Sequence, residues 1–192
     1  MDPILRIRLT ALFEEGWEIW DRFDVEVRQR EWHPFVHGDY ERVLAALLVQ
    51  AASPPGRRFL EWGSGTGVIT IMADMLGFDA FGIELDGDLV QVSRGLAERH
   101  GSRAQFVAGS FLPSGYRWRP RGGDGRPGTI GEGDSAYPAL GHPLDEFDLV
   151  YGYPWGGEEG LMLDLMHRYG GNQASLLLHD TGGGVRVVRD GP

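Results

Sequence analysis

Apolar side chains at Leu5, Leu9, Leu12, Phe13, Trp17, Trp20, Phe23 and Val27 recur at steps of three and four. That is the period of one helical face, and it predicts a helical segment from about Ile4 to Arg30, with Gly16 expected to divide it. A turn-rich aromatic stretch, Trp32-His33-Pro34-Phe35-Val36-His37-Gly38, comes next. Asp39 is placed as the N-cap of a second helix that runs through Ala52 and is stopped by Ser53-Pro54-Pro55-Gly56. From Arg58 onward the rhythm changes to short apolar runs separated by helical stretches. Strands are predicted at Arg58 to Trp62, Asp79 to Glu84, Ala104 to Val107, within Glu146 to Gly152, and at Ala174 to His179. Helices are predicted at Val68 to Leu76, from Asp86 to about His100, and at Glu158 to Tyr169. Strands alternating with single helices imply parallel pairing through right-handed crossovers.

The stretch from Pro113 to Pro143 breaks this rhythm, with eight glycines, five prolines and few apolar residues. It reads as a flexible inserted loop that builds no core. After His179 only a turn at Thr181 to Gly184 and an edge strand at Val185 to Arg189 follow. The expected fold class is therefore α/β: a doubly wound, mostly parallel sheet with an antiparallel edge strand and a truncated C-terminal strand region. It forms a single domain over 1–192, with a helical N-terminal segment at 1–56 and a core at 57–192 that carries the insertion.

Composition narrows the chemistry. The chain has no cysteine, which removes disulfides, thiolate nucleophiles and zinc–thiolate sites. All 18 basic residues are arginine, so Schiff-base chemistry and a P-loop lysine are excluded. A net charge of −10 repels phosphate on average and makes nucleic acid an unexpected partner. No apolar run approaches membrane-spanning length and the N-terminus lacks the pattern of a secretory leader, so a cytoplasmic location and no membrane partner are expected. No His/Asp/Glu spacing suggests a metal site.

The sharpest signal is Phe59-Leu60-Glu61-Trp62-Gly63-Ser64-Gly65-Thr66-Gly67, a strand that ends in glycines and opens directly into a helix. Such a loop lets a ligand approach the backbone closely. Val68 stands where the dinucleotide fingerprint has its third small residue, and Glu61 would repel a pyrophosphate. A carboxylate at that point suits an ammonium or sulfonium group. Glu84 ends the second strand, where an acid can accept hydrogen bonds from ribose hydroxyls, while Asp86 reads equally as a helix cap.

These residues resemble the class I (seven-strand, Rossmann-like) S-adenosylmethionine-dependent methyltransferases over roughly Trp32 to Asp180. The resemblance implies S-adenosylmethionine as cofactor. Gly63, Ser64, Gly65, Gly67 and Glu61 would then hold its methionine part, Glu84 its ribose, and Leu85 its adenine. Many members carry an aspartate after the third strand; here Gly109-Ser110-Phe111 stands instead, which makes Ser110 a weaker adenine partner beside Phe111. Phe35 and His37, in the stretch before the second helix, would cover the cofactor, and Tyr151 would lie beside it.

The fourth strand leads into Tyr151-Gly152-Tyr153-Pro154-Trp155, which is similar to the Asn-Pro-Pro-aromatic motif of amino methyltransferases but has tyrosine for asparagine. Tyr153, Pro154 and Trp155 are the expected acceptor-side residues, with the two aromatics gripping a flat or cationic acceptor. Neither His179, Asp180 nor Glu158 is singled out as a base. The expected activity is methyl transfer to a small molecule or a protein side chain. The alternative is a protein that binds the cofactor without catalysis and serves regulation or interaction. Oligomeric state is not legible.

Overall fold

The computed structural model describes residues 1–30, 35–52, 58–117, 133–154, 158–180 and 184–189. In chain order they form α1 (Pro3–Phe23), a π-helical turn (Asp24–Arg28), α2 (Tyr40–Ala51), β1 (Arg58–Trp62), α3 (Val68–Met75), β2 (Asp79–Glu84) and α4 (Gly87–Arg99). There follow β3 (Gln105–Ala108), α5 (Tyr137–Leu140), a 3-10 turn (Leu144–Glu146), β4 (Leu149–Gly152), α6 (Glu159–Tyr169), β5 (Ser175–His179) and β6 (Val185–Arg189). The expected strands are all present, with β3 displaced by one residue.

One sheet of six strands has the order β3-β2-β1-β4-β5-β6, parallel throughout except for the antiparallel pairing of β6 with β5. The doubly wound class expected from the alternation is thus found. Its central β1 lies between β2 and β4, so the chain winds outward in opposite directions on either side of it. The C-terminal ends of β1 and β4 consequently flank a crevice, the ligand position in open sheets of this kind.

Both faces of the sheet are covered, which explains why its strands read as nearly continuous apolar runs. Alternate residues divide between two cores. Phe59 of β1 and Leu177 of β5 join α1 to α4 on one side. Leu60 and Trp62 of β1 and Leu176 and Leu178 of β5 join α5 and α6 on the other. Leu12, Leu47, Leu60, Leu165 and Leu177 are wholly buried. Each such leucine stabilises the fold by about 1.5–3 kcal/mol relative to exposure.

Two expectations are corrected. Gly16 does not divide α1, which runs unbroken through it. A Cβ there would meet Val68 Cγ2 at 2.7 Å, so the glycine lets α1 lie directly against α3. The inserted stretch also contributes to the core after all. Residues 118–132 lie outside the described residues, but Ala136, Tyr137 and Leu140 beyond them are buried in the second core. Trp62 Nε1 donates to the Tyr137 hydroxyl at 3.0 Å. The few apolar residues of a glycine-rich stretch were enough, because they are clustered at its end.

Candidate cofactor and acceptor site

The loop between β1 and α3 is held by its own backbone. Gly63, Gly65 and Gly67 all have positive φ, at 70°, 52° and 82°. The N–H groups of Gly63 and Ser64 both donate to the Ile83 carbonyl at 2.9 Å, and Gly65 N–H donates to Glu84 Oε2 at 2.8 Å. Gly67 is the N-cap of α3, where a Cβ would meet Ser93 Cβ at 2.6 Å and the Phe106 ring at 2.8 Å. An L side chain is excluded there both by conformation and by space.

Above this loop lies a small cleft of about 30 Å³. Its walls come from the ends of β1 and β4 (Glu61, Gly63, Ser64, Tyr151, Tyr153), from the approach to α2 (Phe35 to Gly38, and Tyr40), and from Thr66, Val68 and Ile69. Among the described residues no arginine lines it. Phe35 lies over Gly65, where even a Cβ would collide with its ring. Phe35 is held from behind by Trp20 and Phe23, at centroid distances of 5.3 and 5.4 Å. His37 packs edge-on against Trp17 at 4.2 Å and Trp20 at 4.9 Å. The second half of the apolar stripe of α1 therefore serves the cavity wall rather than the sheet.

Glu61 dominates the electrostatics of the wall. It is 3% exposed and accepts a hydrogen bond from Thr70 Oγ1 at 2.5 Å. Burial pushes its carboxyl up to about 8, only partly offset by hydrogen bonds from the hydroxyl and backbone N–H of Thr70. At neutral pH such a group is largely protonated. Glu84 is also raised by burial, against hydrogen bonds from the Asp86, Gly65 and Leu85 backbone. Its Oε1 accepts from Asp86 N–H at 3.0 Å. Asp86 itself caps α4, accepting from the N–H groups of Asp88 and Leu89.

On the β4 side, the Tyr151 hydroxyl lies 3.2 Å from Nδ1 of His179, at the end of β5. The Tyr153 ring stacks on the His179 ring at 4.5 Å and 22°. His179 is 5% exposed and burial lowers its pKa, whereas burial and the neighbouring Glu61 charge raise that of Tyr151. The resting pair is a protonated phenol beside a neutral imidazole.

The structure brings Phe35, His37, Glu61, Gly63, Ser64, Tyr151 and Tyr153 together around the cavity. Gly65 and Glu84 stand just behind, joined to each other. Phe111 is not with them: it is 4% exposed and stacks on Trp62 at 5.3 Å within the second core, because the chain turns inward after β3. Ser110 is equally buried, and its Oγ accepts from Leu112 N–H at 3.1 Å. Leu85 is 37% exposed, outside the cavity lining, and close to Gly133. Gly67 packs inward and positions the helix instead of lining the cavity. Pro154 is half-buried beside Tyr153, and Trp155 lies outside the described residues.

Sequence reasoning missed Tyr40, Thr66 and Thr70. Tyr40 opens α2, and its hydroxyl bonds to Thr66. A tyrosine on the first turn of a capped helix carried the only prior signal. Thr70 looked like one more residue of an apolar helix. Among the described residues, no cluster of His, Asp and Glu could hold a metal, and no helix is long and apolar enough to cross a membrane.

Ser64 Oγ is buried against Gly82 with no hydrogen-bond partner, and the space beside Gly63 is open where a Cβ would stand. No family model matches the chain. It is similar to the ribosomal protein L11 methyltransferase of Thermus thermophilus, at 31% identity over 103 residues, covering 52% of this chain and 41% of that protein. The protein of the same name from Ralstonia pickettii is 37% identical over 62 residues, covering 32% of this chain and 21% of that one. The chain thus spans less than half the length of these curated relatives. Among solved structures it is similar to an RNA methyltransferase from Salinibacter ruber in complex with S-adenosyl-L-homocysteine, at 20% identity and a TM-score of 0.50, covering 72% of this chain and 74% of that one. The chain has the Rossmann-like fold of the class I S-adenosylmethionine-dependent methyltransferases, and its sequence relatives are named as ribosomal protein L11 methyltransferases.

Proposed function

We propose that the chain binds S-adenosylmethionine in this cavity and transfers its methyl group to an amino group of a protein or small molecule. The observation that carries the reading is the buried Glu61 carboxyl in a cavity that no described arginine lines. A positively charged amino acid is the ligand that such a wall selects. Glu61 would hold the ammonium group, the open side of Gly63 and the unpartnered Ser64 hydroxyl would receive the methionine part, and Glu84 would hold the ribose. When bound, the cofactor supplies an activated methyl group on sulfur. The chain's own residues then need to align the acceptor and exclude water. Tyr153, beside Pro154, provides an aromatic surface for a cationic acceptor. Trp155 remains an acceptor-side proposal.

A protein acceptor is favoured over RNA. The relatives at 31% and 37% identity are named for a ribosomal protein, and a net charge of −10 opposes a polyphosphate. Calorimetric titration with S-adenosylhomocysteine, with NAD as control, tests the reading. Micromolar binding of the first and none of the second is expected; the reverse would overturn it. Transfer of labelled methyl to purified ribosomal protein L11 and to a lysine peptide then identifies the acceptor class.

A further inference from the structure

The end of β4 and the end of β5 bring together three side chains that positioning a cofactor does not require. Tyr151 and Tyr153 both line the cavity, and His179 lies behind them. The imidazole is fixed in two ways: Nδ1 faces the Tyr151 hydroxyl at 3.2 Å, and its plane is stacked on Tyr153. A histidine that is both buried and oriented in this manner cannot meet an acceptor directly. It can meet one through the oxygen of Tyr151, a buried residue that lines the cleft with its hydroxyl against Gly38.

We propose that Tyr151 and His179 form a proton relay at the methyl-transfer site, with the Tyr151 hydroxyl receiving the acceptor's proton as its own passes to His179 Nδ1. The inference rests on the methyltransferase reading above. An amine that arrives as ammonium loses one proton to become nucleophilic. That proton goes to Tyr151 Oη, the hydroxyl proton moves to Nδ1, and His179 becomes imidazolium while the phenol is restored. The freed nitrogen lone pair forms the bond to the methyl carbon, and the electron pair of the breaking carbon–sulfur bond stays on sulfur, leaving a thioether. No further reactant is needed.

The surroundings suit a base that is neutral at rest and tolerates charge briefly. Burial disfavours the imidazolium, as does Arg42 on α2, while Asp39 at the start of α2 and Asp180 after β5 favour it. Tyr151 on β4 and Tyr153 just after it are the titratable groups that contact it. The relay therefore works at neutral pH and fails as the solution becomes acid enough to protonate His179 beforehand.

The test uses the full chain labelled with ¹⁵N-histidine. Long-range proton–nitrogen NMR of the free protein at neutral pH is expected to find His179 with Nδ1 unprotonated and Nε2 protonated. The isosteric substitution Tyr151→Phe, which removes only the hydroxyl, is expected to shift the Nδ1 resonance of His179. It should slow methyl transfer to a lysine peptide at saturating S-adenosylmethionine by about a hundredfold or more. The acid limb of the rate profile should disappear in the same variant. A protonated Nδ1 in the wild type, or a Tyr151→Phe enzyme within threefold of wild-type rate, would overturn the relay. Failure of the wild type to bind S-adenosylhomocysteine would overturn the methyltransferase reading instead, and the NMR of the free protein would still judge the pair by its tautomer.

Discussion

Glu84 accepts the Gly65 N–H at 2.8 Å, so the acid that ends β2 is tied to the glycine loop that leaves β1. One carboxylate thereby organises the loop and, in the proposed complex, meets the ribose. Its other oxygen, Oε1, accepts the Asp86 N–H at 3.0 Å, which fixes the turn into α4.

Replacing Glu84 by alanine is therefore expected to act twice. Affinity for S-adenosylhomocysteine should fall by about tenfold to a hundredfold, the size of losing one charged hydrogen bond. The melting temperature should fall too, since two backbone N–H groups lose their acceptor. Glu84→Gln should recover part of the stability and little of the affinity. Calorimetry and thermal unfolding read both, and unchanged affinity in Glu84→Ala would remove Glu84 from the site.

Glu61 should make cofactor binding release a proton. Burial raises its carboxyl from the ordinary 4.5 to about 8, so it is largely protonated at neutral pH, and an ammonium group placed beside it lowers that value again. Titrations in buffers of different ionisation enthalpy should find close to one proton released near pH 7, and none with Glu61→Gln. The same shift gives a stability signature. A raised folded-state pKa means that stability is full below 4.5 and declines as pH rises through about 8. Relative to Glu61→Gln, the wild type should lose stability across that window; a pH-independent difference would contradict it.

Tyr137 should be a structural residue despite lying at the end of the inserted stretch. Its hydroxyl is the acceptor for Trp62 Nε1 at 3.0 Å in the second core. Tyr137→Phe leaves that indole N–H buried without a partner, at a cost of about 1–3 kcal/mol. Thermal unfolding should record a drop of about 2–4 °C for each kcal/mol. Cofactor binding should be unaffected, and a fall in affinity without a fall in stability would place Tyr137 in the site instead.

Much of the site was legible because its residues are neighbours in sequence. Glu61 to Gly67 and Glu84 lie on consecutive units of one βαβ motif, where spacing along the chain fixes spacing in space. The relationships that were not legible are those where distant segments meet. Phe111 follows β3, and only the tertiary fold stacks it on Trp62 in the second core. His179 was one of several equivalent acids and bases until the parallel pairing of β4 with β5 set it beside Tyr151. Thr70 is unremarkable within an apolar helix, and only the packing of α3 on β1 makes it the partner of Glu61.

Local pattern determined the alternation of strands and helices, the strand directions, the glycine loop and the acids at its flanks. These depend on periodicities of two and 3.6 residues and on backbone freedom at glycine, all of which are written in adjacent positions. Tertiary structure decided which apolar residues face the cavity and which the core. It also decided that Gly16 permits contact rather than a break, and that His179, Tyr151 and Tyr153 form one group. Those outcomes depend on which faces of separate elements are pressed together as water is excluded, and no single stretch of sequence encodes both partners of such a contact.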